Sequence, residues 1–276
     1  MGIDCRVQDL VNAYLGAVDS ELPGLVEGLY LVGSVALDDF QPGVSDVDFV
    51  AVTATAPDAG GIAGLIRVHA QLRQQVPWPS FDGTYVTWQE LAHDPRLAAP
   101  GPHAQGDRLT ARGRSLRHPV TWHEIAQHGL ALRGPARESV AIWTDRDRLR
   151  AWTLDNLDGY WRRWLERSAR LFSKPGLTSL GSGSAEWGVL GVSRLHYTLA
   201  TGEITSKRGA GLYAREAFPA RWHQIVDECL RIRCDANGRS LYRSRRARRD
   251  DALAFMAMVI DDAHNLNGPP CPPGTP

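Results

Sequence analysis

The chain has 276 residues, enough for two ordinary domains, and its 43 % apolar content is that of a globular protein. Thirty-one basic and 31 acidic side chains cancel overall, but residues 1–145 carry 17 acids against 10 bases and residues 146–276 carry 14 against 21, a swing from −7 to +7. No run of about 18 apolar residues exists, which excludes a membrane-spanning helix, and the four cysteines (Cys5, Cys229, Cys234, Cys271) have neither metal-ligand spacing nor the density of a disulfide framework.

The amino-terminal segment places Val7, Leu10, Val11, Tyr14, Leu15 and Val18 at the three-and-four spacing of one helical face, predicting a helix over Arg6–Glu21. Acids run through this segment, unlike a secretion signal, so the expected location is the cytoplasm.

Leu29 to Val52 is the stretch around which the rest is organised. It reads as an apolar strand (Leu29–Val32), a Gly33-Ser34 corner, an irregular turn through Pro42 and Gly43, and a second strand carrying Asp46-Val47-Asp48-Phe49-Val50. Side chains two apart on a strand share a face, so Asp46 and Asp48 present two carboxylates together while Val47, Phe49 and Ala51 go to the core. Two such charges are costly unless a cation lies between them, and a hard divalent cation that keeps positions open for phosphate oxygens suits them. Gly33 lets a phosphate approach the backbone, and Ser34 adds a hydroxyl.

This arrangement, apolar-Gly-Ser, about ten residues, then Asp-apolar-Asp-apolar, resembles the nucleotidyltransferase superfamily signature. The fuller string is similar to the aminoglycoside nucleotidyltransferases of the streptomycin and spectinomycin adenylyltransferase type. The resemblance implies an α/β (α+β) catalytic domain with a mixed sheet over residues 1–145, an all-α helical bundle over 146–267 that completes the ATP and substrate cleft, and a disordered proline-rich tail over 268–276.

Ile62, Leu65, Ile66, His69, Leu72 and Val76 mark the next helix, with His69 as a core or boundary histidine. Ser80–Trp88 reads as a third strand with Asp82 at its start. The resemblance implies a third carboxylate from a neighbouring strand, a glutamate in streptomycin-type enzymes that acts as general base on the substrate hydroxyl. Here it is Asp82, either base or additional metal ligand, with a turn-capping role before Gly83 as the plain alternative and Glu90 as the fallback.

Residues 93–117, rich in Pro, Gly, Ala and Arg, are expected to form a long surface loop. Relatives acting on streptomycin place a tryptophan against the substrate from about here, and this segment has none. Pro119–Gly129 predicts a short capped helix. Its His123, Glu124 and His128 do not form a zinc site, because histidines five apart lie about 140° apart around the axis.

The second half is helical by period. One long helix is expected over Leu149–Leu165 with an aromatic stripe, a flexible connection over Phe172–Ser184, and a helix over Ala185–Leu199 stopping at Gly202. Further helices are expected from Arg208 to Ala217, Pro219 to Ile232 and Asp250 to Leu266. VSRLHYTLATGEITSK resembles the carboxy-terminal domain of the streptomycin-type enzymes, where an arginine and a lysine thirteen residues on reach the nucleotide phosphates; these would be Arg194 and Lys207. Only Lys174 and Lys207 are lysine among the bases, which singles out Lys207 in its turn. Glu186 either meets substrate amines or caps its helix. The run Arg239–Arg249 reads as a solvated connection, since a nucleic-acid footprint would interleave more aromatics than Tyr242.

The resemblance thus implies AMP transfer from ATP to a hydroxyl of a cationic aminoglycoside or spectinomycin-like molecule. Asp46 and Asp48 would hold two Mg2+ ions, Gly33, Ser34, Arg194 and Lys207 the nucleotide, and Asp82 the acceptor hydroxyl. A monomer with no membrane or nucleic-acid partner is expected. The charge asymmetry suits such a cleft, and equally two domains held by complementary charge. A protein or RNA acceptor, or nucleotide binding without chemistry, are the competing readings.

Overall fold

A computed structural model describes residues 2–106, 108–235 and 237–266; the tail expected over 268–276, and Cys271 with it, lies outside them. The chain divides into two compact units, Met1–Asp145 and Arg146–Pro276.

The first unit opens with α1 (Cys5–Glu21), capped by Asp4, whose side chain accepts from the Arg6 N–H. Then come β1 (Gly28–Val32), the single turn α2 (Gly33–Ala36), β2 (Val47–Thr53), α3 (Ala59–Gln75), β3 (Phe81–Thr87), the short α4 (Trp88–Leu91), β4 (Gly101–Gln105), β5 (Arg108–Gly113), α5 (Pro119–His128) and β6 (Leu130–Arg133). The sheet is mixed, in the order β5-β4-β3-β2-β1-β6, with β2 and β3 parallel and the other neighbours antiparallel.

Strand alternation sets both faces of this sheet. Leu29, Leu31, Val47, Phe49, Ala51, Phe81 and Tyr85 pack with the buried residues of α1 and α3. Tyr30, Val32, Val50, Val52 and Val86 pack with Trp122 and Ile125 of α5 on the opposite face. His69 sits at the boundary of the first layer, as predicted, bonded through Nε2 to the Tyr85 hydroxyl at 2.9 Å.

The segment expected to be a loop contains a hairpin. β4 pairs with β3 through Gly83↔Ala104 and Thr84↔His103, and β5 pairs with β4. GPHAQ and RLTARG carry no apolar alternation: β4 is short and mostly buried but buries only small residues, proline and histidine, and β5 is largely polar and exposed, so the periodicity that marks a strand is missing.

The second unit holds α6 (Arg146–Asn156), a π-helical turn (Leu157–Trp161), α7 (Arg162–Ala169), α8 (Lys174–Thr178), α9 (Ser182–Thr201), α10 (Lys207–Ala217), α11 (His223–Cys234) and α12 (Arg245–Ala263). α9 is the hub: Val189, Leu190, Val192 and Leu199 are buried in one core with Leu157, Ala214, Val226, Phe255 and Val259. The left-handed Gly202 at φ 77° ends α9 where the sequence placed the stop.

Three expectations here need correction. The stretch from Phe172 to Ser184 is largely helical, holding α8, capped by the Ser173 hydroxyl, and the first turn of α9. Lys207 stands at the first position of α10, not in a turn. The arginine run is a solvated connection only in its first part: Arg239 and Arg243 are exposed ahead of α12, but Arg245–Arg249 begin that helix, and Arg248 and Arg249 are buried. Arg249 Nη2 donates to the Ser168 and Ala169 carbonyls at 2.6 and 3.0 Å, and Nε donates to Ser179 Oγ at 2.8 Å. A guanidinium there supplies donors to the carbonyls that the end of α7 leaves without helical partners.

Candidate active site

The carboxylates are set by strand register. β1 and β2 pair with Val32 opposite Asp48, and β2 and β3 pair with Asp48 opposite Asp82. Asp48 and Asp82 therefore stand side by side at equivalent places on adjacent parallel strands, both half-buried, while the remainder of each strand is buried. Asp46 is exposed just before β2, and its carbonyl accepts from Ser34 Oγ at 3.4 Å.

Gly33 follows Val32 directly, with φ at +64°. A Cβ built there would lie 2.1 Å from Asp48 Oδ2. Its missing side chain therefore makes room for the Asp48 carboxylate, a requirement separate from the phosphate clearance read from sequence. The Gly33 N–H donates to Glu124 Oε1 at 2.8 Å. The β1 corner, Asp48 and Glu124 of α5 thus converge.

Asp82 is held on one oxygen. Its Oδ1 accepts from Ser80 Oγ at 2.6 Å and from the Gly106 N–H at 2.9 Å. Gly106 belongs to the connection between β4 and β5, so the hairpin that the sequence concealed orients this acid. Glu90 does not join it: Oε2 accepts from the Thr87 N–H at 2.9 Å in a capping box, and Oε1 pairs with the buried Arg117 at 2.9 Å. Arg117 also donates to the Tyr85 carbonyl, which makes Glu90 part of the scaffold.

Among the described residues no three His, Cys, Asp or Glu side chains converge as a preformed metal cage. Magnesium needs none, since it is usually held by one or two carboxylates together with phosphate oxygens and water. The hard oxygen donors Asp46 and Asp48 fit that ion. The His123-Glu124-His128 group is not a zinc site: His123 Nε2 accepts from the Asp145 N–H at 3.1 Å and Glu124 faces Gly33.

In the helical unit Lys207 Nζ lies 3.4 Å from Glu186 Oε1, and Arg233 of α11 lies 3.7 Å from the same oxygen. Burial, then Arg233 and Arg194, pull Lys207 below the ordinary lysine range, against the opposing pull of Glu186. Arg194 is thus close enough for its charge to be felt at Lys207. Glu124 and Arg233 escaped the sequence reading. Glu124 carried only the failed zinc pattern as a signal, and Arg233 none, being one arginine among many.

Two family models match, one described as "Nucleotidyltransferase domain" over residues 11–81 and one as "Aminoglycoside adenylyltransferase, C-terminal domain" over residues 175–257. Among solved structures the chain is similar to spectinomycin adenyltransferase AAD(9) from Enterococcus faecialis, determined with ATP and spectinomycin. The TM-score is 0.64 at 12 % identity, covering 93 % of this chain and 99 % of that one. A search of curated protein sequences returns no match.

Proposed function

Because the chain belongs to the aminoglycoside nucleotidyltransferase family and is an enzyme of that kind, we propose that it transfers AMP from ATP to a hydroxyl of a small cationic antibiotic of the aminoglycoside or spectinomycin class, releasing pyrophosphate. The observation that carries this reading is the register that sets Asp48 beside Asp82, with the Gly33 corner folded against the Asp48 carboxylate. The structurally similar enzyme was determined with ATP and spectinomycin, which supports the choice of both substrates.

In this proposal Asp46 and Asp48 would hold magnesium, two ions by family resemblance, which when bound would offset negative charge on the triphosphate. Ser34 Oγ binds a phosphate oxygen, as does the Gly33 N–H once that oxygen replaces Glu124 Oε1. Asp82, oriented by Ser80 and Gly106, accepts the proton of the acceptor hydroxyl. The acceptor oxygen bonds to the α-phosphorus as the bond to the pyrophosphate oxygen breaks. By family resemblance, Arg194 and Lys207 are the residues that bind nucleotide phosphate.

The test is pyrophosphate release by the full chain with magnesium and ATP across a panel of aminoglycosides and spectinomycin. The expected result is release with at least one antibiotic, abolished in Asp48→Asn while the melting temperature stays close to that of the unmodified chain. Wild-type turnover in Asp48→Asn would refute the site. An AMP-sized mass increase on a protein, with no antibiotic active, would replace the acceptor class.

A further inference from the structure

Ser80 is tied to both strands that carry the carboxylates. Its carbonyl accepts from the Val47 N–H at 2.8 Å, between Asp46 and Asp48, and its hydroxyl donates to Asp82 Oδ1 at 2.6 Å. The second distance lies within the roughly 2.5–2.7 Å of a hydroxyl bonded to an ionised carboxylate. Gly106 closes the group: its N–H donates to the same Oδ1 at 2.9 Å, and its carbonyl lies 3.3 Å from Ser80 Oγ. The start of β3 and the turn between β4 and β5 thus fix one another through a single carboxylate oxygen.

Two donors on Oδ1 divide the carboxylate into a held end and an open one. Among the described residues Oδ2 accepts no hydrogen bond, and it keeps its lone pairs for an incoming donor. A proton acceptor needs one oxygen kept at a definite place and angle, and this arrangement supplies it.

We infer that Ser80 is a positioning residue for proton abstraction: its hydroxyl holds Asp82 by Oδ1, so that Oδ2 is the atom that takes the proton of the acceptor hydroxyl. This role rests on the nucleotidyl-transfer reading above, and it makes Asp82 the base where the sequence left base and metal ligand open. The acceptor O–H bond breaks as its oxygen bonds to the α-phosphorus, the proton passes to Oδ2, and Ser80 keeps its own proton throughout.

The experiment is steady-state pyrophosphate release by the full chain with an antibiotic that serves as acceptor, measured against ATP and against magnesium concentration. Ser80→Ala removes the hydroxyl and keeps the backbone bond to Val47. It is expected to lower kcat about 10–100-fold, as misplacement at a reacting centre does. KM for ATP and the magnesium concentration giving half-maximal rate should stay at wild-type values. Ser80→Thr keeps a hydroxyl and should recover most of the loss, and it keeps the test informative if the alanine variant folds poorly. In an Asp82→Asn background Ser80→Ala should cost less than about threefold, because the carboxylate it holds is gone. Wild-type kcat in Ser80→Ala, equal losses in the alanine and threonine variants, or an undiminished loss in the Asp82→Asn background would overturn this role. So would a raised magnesium requirement in Ser80→Ala, which would put Asp82 on the metal. Asp82→Asn separates this failure from a wider one: if it is inactive while Ser80→Ala is not impaired, Ser80 alone loses its role, whereas wild-type turnover in Asp82→Asn removes the base itself. No release with any antibiotic would withdraw both this role and the acceptor class.

Discussion

Replacing Gly33 with alanine should damage catalysis far more than folding, and a second glycine shows by how much. Gly24 and Gly33 both have positive φ, +78° and +64°. A non-glycine residue in that region costs about 1–2 kcal/mol, roughly 2–8 °C in melting temperature for a chain of this size. At Gly24 a new Cβ meets nothing within 4 Å, so Gly24→Ala should show that loss and keep its activity. At Gly33 the new Cβ would lie 2.1 Å from Asp48 Oδ2, 2.9 Å from its Cγ and 3.1 Å from its Cβ. Those atoms cannot stay where they are. The carboxylate is the end of a short side chain and yields by rotating, so the folding cost stays near that of Gly24→Ala while the carboxylate swings off its position. A displacement of about 1 Å at a reacting centre can cost on the order of 100-fold in rate. Thermal unfolding and pyrophosphate release, measured on both variants with an antibiotic that serves as acceptor, make the comparison. Equal activity in Gly33→Ala and Gly24→Ala would show that Asp48 need not occupy its present place, and the metal-site assignment would fail.

Two predictions concern stability against pH. Burial pulls His69 from 6.5 down to about 4. The neutral ring therefore supports the folded state fully above pH 6.5, and that support is lost as pH falls toward 4, by about 3 kcal/mol at most. Denaturation midpoints of His69→Gln should fall less steeply than wild type across this window; parallel curves would refute it. Glu228 is fully buried, and although burial pushes its carboxyl upward, Arg231, Ser240 and the Leu241 N–H together hold it at about 2. Its contribution is complete above 4.5 and disappears as pH falls from 4.5 toward 2. Glu228→Ala would take from Arg231 and Arg248 the carboxylate they share, leaving them only backbone carbonyls among these contacts, and should cost about 3–5 kcal/mol. A melting temperature within experimental error of wild type would show that this network contributes no net stability.

The elements with a strong period were legible from residues alone. The apolar stripes of α1 and α3, the strand carrying Asp48, the Gly202 stop and the helical second half each follow from local chemistry that does not depend on distant partners. The spacing of Gly33, Ser34, Asp46 and Asp48 was likewise readable, because strand alternation assigns faces without knowledge of the neighbouring strands. Only the tertiary structure decided the rest. That Asp82 stands opposite Asp48 is a matter of register between strands more than thirty residues apart, and its orientation depends on a hairpin whose short strands leave no apolar period in the sequence. Arg248 and Arg249 looked like surface charge because composition cannot show which carbonyls a guanidinium will meet. Glu124 and Arg233 gain meaning only from what folding brings against them, the amide of Gly33 and the carboxylate of Glu186. Periodicity is a property of the chain, whereas electrostatic partnership belongs to the folded molecule.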